Sequence, residues 1–141
     1  MSFEADITKF TEKTKIKGQT VLRKLALQGW VGCMEKSPVL TGQFRGNWNI
    51  GINTTDISVK PAPAAPPGSP GQPVPPSPGE ISTAVSKIIS AKWTDTIVIS
   101  NNVPYAPPLE AGLSKQAPGG ILRITVQQLI AHLKALVQSI P

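Results

Sequence analysis

Apolar side chains recur at helical steps over the first third of the chain. Phe3, Ile7 and Phe10 form one row, and Val21, Leu22, Leu25, Ala26, Trp30 and Cys33 continue it at spacings of three and four. The pattern predicts a long helix from about Ser2 to Lys36. Gly18 interrupts it at a cost of about 1 kcal/mol relative to alanine, which predicts a kink or break there. Gly29 and Gly32 are placed to let a second helix or a strand approach closely. Ser37-Pro38 ends the run, because proline disfavours helical geometry in the residue before it.

The period then changes to two. Trp48, Ile50 and Ile52 alternate with Asn47, Asn49, Gly51 and Asn53, predicting a half-buried strand over Asn47 to Val59. Ser77-Pro78-Gly79-Glu80 has a serine cap, proline at the first helical position and glutamate three residues after the cap. It opens a helix with Ile81, Val85, Ile88 and Ile89 on one face, running to about Lys92. Thr96 to Asn101 is β-branched and reads as a buried strand, while Asn102 to Gly120 reads as loop. The final element carries Leu122, Val126, Leu129, Leu133, Leu136 and Ile140 at helical spacing, a stripe whose usual use is core packing. These elements predict a small single α+β domain over residues 1–141. It has a long N-terminal helix, a short antiparallel or mixed sheet, a central helix and a C-terminal amphipathic helix.

Residues 61–79 break both periods. Pro61, Pro63, Pro66, Pro67, Pro70, Pro73, Pro75 and Pro76 stand among Ala, Gly and Ser, with no charge between Pro61 and Gly79. This composition favours extended polyproline geometry over packing. It predicts a loop inserted within the domain, reaching past its surface and dispensable for folding.

Composition narrows the classes. In 141 residues, 40% are hydrophobic and 16% charged, as suits a globular subunit. The single cysteine, Cys33, has no intrachain disulfide partner and reads as a buried, unreactive thiol. The first residues lack the pattern of a signal peptide, and no stretch approaches a membrane span, so a cytoplasmic, membrane-free subunit is expected. Net charge is +6, with Lys9, Lys13, Lys15, Lys17, Arg23 and Lys24 crowded near the N-terminus. Such a run meets phosphate backbones or acidic partners, although it is more often a helix's solvated face.

Candidate chemistry is sparse. His132 is the one histidine, and with one cysteine it suggests neither a metal site nor a nucleophile–base pair. Phosphate-cradling glycine motifs are missing. Gly119-Gly120 before a helix could hold an anion on free amides, though a plain helix lead-in is the simpler use. No catalytic residue, metal, cofactor or small-molecule substrate is expected, and the chain reads as a non-enzyme.

Two segments are informative: Ser37 to Trp48 (SPVLTGQFRGNW) and Asn101 to Gly120 (NNVPYAPPLEAGLSKQAPGG). A long loop without secondary structure is usually functional or disordered. Here it carries Tyr105, Leu109 and Leu113, which need burial, and Glu110 and Lys115, which need water or partners. Pro38, Thr41, Gly42, Arg45 and Trp48 fit a Pro-x-x-Thr-Gly-x-x-Arg-x-x-Trp stretch. Asn101 to Ala106, Leu109 to Gly112 and Ser114 to Pro118 follow as Asn-Asn-x-Pro-Tyr-Ala, Leu-Glu-x-Gly and Ser-Lys-Gln-Ala-Pro. With the element order, these resemble the neck and tail-completion proteins of tailed bacteriophages, the family that includes minor tail and head–tail joining proteins of lambda-type phages.

The resemblance implies a structural virion protein, assembled in the host cytoplasm, that completes the tail or joins it to the head. Its implied partners are further copies of itself in a ring, the tail tube or tail terminator, and the head–tail connector, with packaged DNA nearby. Thr41, Arg45, Trp48, Asn102, Tyr105, Leu109, Glu110 and Lys115 become candidates for assembly contacts. Arg45 and Glu110 are expected to be close partners, within one subunit or across a boundary. The alternatives are a basic nucleic-acid-binding protein, motivated by a pI near 9.7, and an adaptor whose Pro63 and Pro66 present a P-x-x-P ligand to an aromatic groove.

Overall fold

The computed structural model describes residues 3–69 and 71–138. Helix α1 (Phe3–Lys36) runs unbroken through Gly18, so the predicted kink does not occur. A Cβ at Gly18 would lie 3.8 Å from the Trp93 ring, an ordinary contact that the helix meets without bending. The expected row of Phe3, Ile7 and Phe10, together with Leu136 and Ile140 of the C-terminal stripe, lies outside the residues whose side chains are described. After Ser37-Pro38 stops α1, a 3-10 turn (Arg45–Asn47) leads into β1 (Trp48–Ile52). Strand β1 pairs antiparallel with β2 (Ile97–Asn101), Trp48 opposite Asn101 and Ile52 opposite Ile97.

Strand β1 stops seven residues short of the expected end at Val59. Asn53 adopts φ +62, and a side chain on Gly51 would strike the Thr54 carbonyl oxygen, so the chain folds back tightly there. The returning residues join through side chains instead of a backbone ladder. Asn49 Nδ2 donates to the carbonyls of Asp56 (3.1 Å) and Ser58 (2.8 Å). Asn47 both donates to the Lys60 carbonyl (3.0 Å) and accepts its N–H (2.6 Å). Ser100 Oγ and Asn102 Nδ2 add bonds to the Asp56 carbonyl. The polar face of the hairpin is thereby roofed, which is why Asn47 and Asn49 are buried along with Trp48 and Ile50. Strand β2 is half-buried along its length, less enclosed than its β-branched composition predicts.

Helix α2 (Pro78–Ile89) begins with the expected capping box and ends before Lys92. The stretch expected to be loop contains a short helix, α3 (Ala106–Glu110), whose first turn tolerates Pro107 because no intrahelical donor is needed there. Helix α4 (Leu122–Gln138) packs on α1. A Cβ at Gly29 would meet Ile99 Cδ1 and Leu129 Cδ1, each at 3.2 Å, and one at Gly32 would meet Thr125 Cγ2 at 3.1 Å. Both glycines thus permit the close approaches expected of them. The edge of α4 drawn inward is Ile121 (just ahead of the helix), Thr125 and Leu129. Of the expected core stripe only Leu129 is drawn inward among the described side chains, while Leu122, Val126 and Leu133 are exposed, with Ile130 beside them.

Trp30, Cys33, Met34, Phe44, Trp48, Ile50, Ile88 and Ile121 form the core between α1, α2 and the inner face of the hairpin. Burial pushes the Cys33 thiol up to about 11, opposed by a hydrogen bond with Thr125, so it is inert at neutral pH.

Candidate assembly surface

The two family-like segments fold against each other. In the first, Trp48 Nε1 donates to Ser37 Oγ (2.7 Å), and Ser37 Oγ donates to the Cys33 carbonyl (2.7 Å). Trp30 Nε1 donates to the Trp48 carbonyl at 3.0 Å, and Phe44 meets Trp48 edge-on with ring centroids 5.5 Å apart. Asn101 Nδ2 reaches the Phe44 carbonyl (2.8 Å), Tyr105 OH donates to Gln43 Oε1 (3.0 Å), and Gln116 Oε1 accepts the Val39 N–H (3.1 Å). These cross-links fix one loop on the other.

Arg45 and Glu110 are not partners. Arg45 is 5% exposed, and its guanidinium meets both carboxylate oxygens of Glu80, at 3.1 and 3.2 Å. It also donates to the carbonyls of Val74 (2.9 Å) and Pro75 (2.7 Å). Glu80 already closes the α2 capping box by accepting the Ser77 N–H. Burial alone would raise its carboxyl, but the bonds from Arg45 and Ser77 outweigh that and hold it below the ordinary value. Arg45 therefore clasps the proline-rich loop to the start of α2, and the loop is not the free projection its composition predicts. At its other end a Cβ on Gly42 (φ +89) would lie 2.6 Å from Pro67 Cδ and 3.0 Å from Pro63 Cγ. The proline rings fill the place a side chain would need.

Glu110 instead caps α4. Its carboxylate accepts the N–H groups of Ile121 (2.9 Å), Leu122 (2.8 Å) and Arg123 (2.9 Å). Burial acts to raise its carboxyl, yet these three donors bring it below the usual glutamate range. The anion position ahead of α4 is thus taken by the chain's own carboxylate. Gly120 (φ +86) is required beside it, since a Cβ would lie 2.7 Å from the Glu110 carbonyl oxygen. The Leu-Glu-x-Gly and Gly-Gly signals consequently belong to one device that joins α3 to α4.

The named candidates separate into three sets. Arg45, Trp48, Asn102 and Glu110 have internal partners that hold the domain together. Thr41, Tyr105 and Leu109 come together in an open groove of about 570 Å³, which Gln43, Leu40 and Gln116 also line. Lys115 stands exposed on the loop that follows α3. Leu40 is 88% exposed; Leu113 at 77% and Tyr105 at 40% do not find the burial expected of them, whereas Leu109 is partly buried against the core. Sequence reasoning passed over Leu40, Gln43 and Gln116, although an apolar residue next to Thr41-Gly42 in a turn was a readable signal for the first. Among the described residues, no group of three or more His, Cys, Asp or Glu is placed to hold a metal, and no helix is long and apolar enough to cross a membrane.

The fold and groove define a small α+β domain with an uncharged, apolar-rimmed concavity between two cross-braced loops. Compared with protein-family models, curated proteins and solved structures, the chain matches none.

Proposed function

We propose that this chain is a structural virion protein of the tailed-phage neck or tail end, repeated in a ring that completes the tail or joins it to the head connector. The observation that carries this reading is the convergence of the two family-like segments on one groove, lined by the exposed Leu40, with a second exposed leucine, Leu113, next in sequence to the lining residue Ser114. Leucine side chains left in water on rigid loops are suited to contacts with other chains. The protein acts by filling a place in an assembly, next to copies of itself, the tail tube or terminator and the connector, and turns over no substrate. Mass spectrometry of gradient-purified virions, followed by cryo-electron microscopy of the neck, tests this. The expected result is the present fold repeated around the tail axis; virions free of the protein would refute it.

A second reading, nucleic-acid binding, draws support from how the charge is arranged. Asp56, Glu80, Asp95 and Glu110 each engage groups within the chain, while Lys24, Lys92 and Lys115 are exposed. A steep fall of DNA affinity with rising salt would favour this reading.

A further inference from the structure

We propose that the groove binds the proline-rich strap of a second copy of this chain, through residues 61–67. This deepens the ring reading above and rests on it in taking a second copy as the occupant.

The groove's hydrogen-bonding groups are biased toward donation. Thr41 Oγ1 accepts the Gln43 N–H at 3.2 Å, and Ser114 Oγ accepts the Gln116 N–H at 3.2 Å. Gln116 Oε1 accepts the Val39 N–H, which fixes the orientation of its amide. The two hydroxyl hydrogens and the Gln116 amide nitrogen remain as donors at the groove wall, with no acceptor among the described residues. Tyr105, Leu40 and Leu109 supply the apolar surface.

A matching ligand is apolar, extended, rich in carbonyl acceptors and poor in N–H donors. Proline-rich chain has all four properties, since each proline lacks an N–H and polyproline geometry leaves every carbonyl free. The strap supplies such a segment: Pro61, Pro63, Pro66 and Pro67 with only alanine between them, and residues 61–66 are all exposed. It is also held in place, because the Lys60 carbonyl is tied to Gln43 and Asn47 and the far end to Arg45. Ordering before contact lowers the entropic cost of binding.

The strap passes the rim of its own groove, with Pro63 and Pro67 against Gly42, so its outer side faces away from its own subunit. Charge favours the same match. Copies carrying a net +6 repel, but neither the lining of the groove nor the strap bears a charge, so they can meet there with least opposition. Strap and groove are different surfaces. Each copy therefore gives one to each neighbour, a head-to-tail contact of the kind that closes into rings.

The test titrates a fluorescent, end-capped peptide of residues 61–73 onto the purified full chain. Two variants accompany it. Gln116→Glu keeps the oxygen that accepts the Val39 N–H and replaces the amide donor by an anion. Leu40→Asp changes a side chain 88% exposed, which leaves the fold intact, as an unchanged melting curve would verify. The expectation is saturable binding to the wild type, weakened about tenfold or more by either variant. The same peptide should dissolve any self-association seen by sedimentation. Absence of saturation at about 1 mM peptide, or equal binding by all three proteins, would overturn the proposal. Neither result bears on whether the protein resides in virions, which the virion analysis decides separately.

Discussion

Arg45 places a full positive charge where only 5% of the residue meets water, and four hydrogen bonds answer it. Removing Glu80 would leave that charge half-answered, and Glu80→Ala is expected to destabilise the fold by about 2–3 kcal/mol, since Glu80 is partly exposed and Arg45 keeps its two carbonyl acceptors. In a double-mutant cycle read by urea unfolding, Arg45 should couple strongly to Glu80 and not at all to Glu110. Glu110 is the second such residue. Replacing it by Gln keeps the size but removes the charge from the start of α4, at an expected cost of about 1 kcal/mol. Both carboxyls bind a proton less readily in the folded chain than in the unfolded one. Their contribution is therefore complete above the ordinary value of 4.5 and is lost as pH falls through the lower folded values. Unfolding midpoints measured between pH 6 and 3 should fall with acidification. The fall should be shallower in Glu110→Gln.

Elements whose signals are local could be read before the fold was known. The Ser77–Glu80 capping box, the proline stop after α1 and the period-two run of β1 each act within a few residues, so sequence displays them directly. Long-range choices were hidden. The α4 stripe looked like core, but Gly29 and Gly32 of α1 admit the Ile121–Thr125–Leu129 edge instead, and only the partner helix decides that. The strand beyond Ile52 was lost to a turn set by Gly51 and Asn53. Of the candidate site, both segments were legible, yet which of their residues serve the fold depended on partners far along the chain, Glu80 for Arg45 and the α4 amides for Glu110. The strap was misjudged for the same reason, because its anchors are Arg45 and Gly42. Replacing residues 63–76 by a short Gly-Ser linker should lower the melting temperature by at least about 4 °C, since a buried guanidinium loses well-placed acceptors and the unfolded chain gains freedom. An unchanged midpoint in a thermal scan would show that the strap contributes nothing to the fold. Gly29→Val tests the α1–α4 approach in the same way: the added methyls would enter the space of Ile99 and Leu129, at an expected cost of about 1–3 kcal/mol by urea unfolding.

At the scale of the molecule, the proposed role draws on what the domain leaves exposed. Asp56, Glu80, Asp95 and Glu110 are engaged within the chain, Leu40, Leu113 and residues 61–66 are left outside, and the two braced loops hold the groove in shape. Weak contacts at such a surface gain strength when symmetry repeats them, so isolated subunits can be monomeric at micromolar concentration while a ring persists on its partners. The most direct test of this account is electron microscopy of the lysate from a phage lacking this gene. Filled heads and polymerised tubes are expected, with tails left unjoined or of abnormal length and few infectious particles. Intact, infectious virions in normal yield would contradict it.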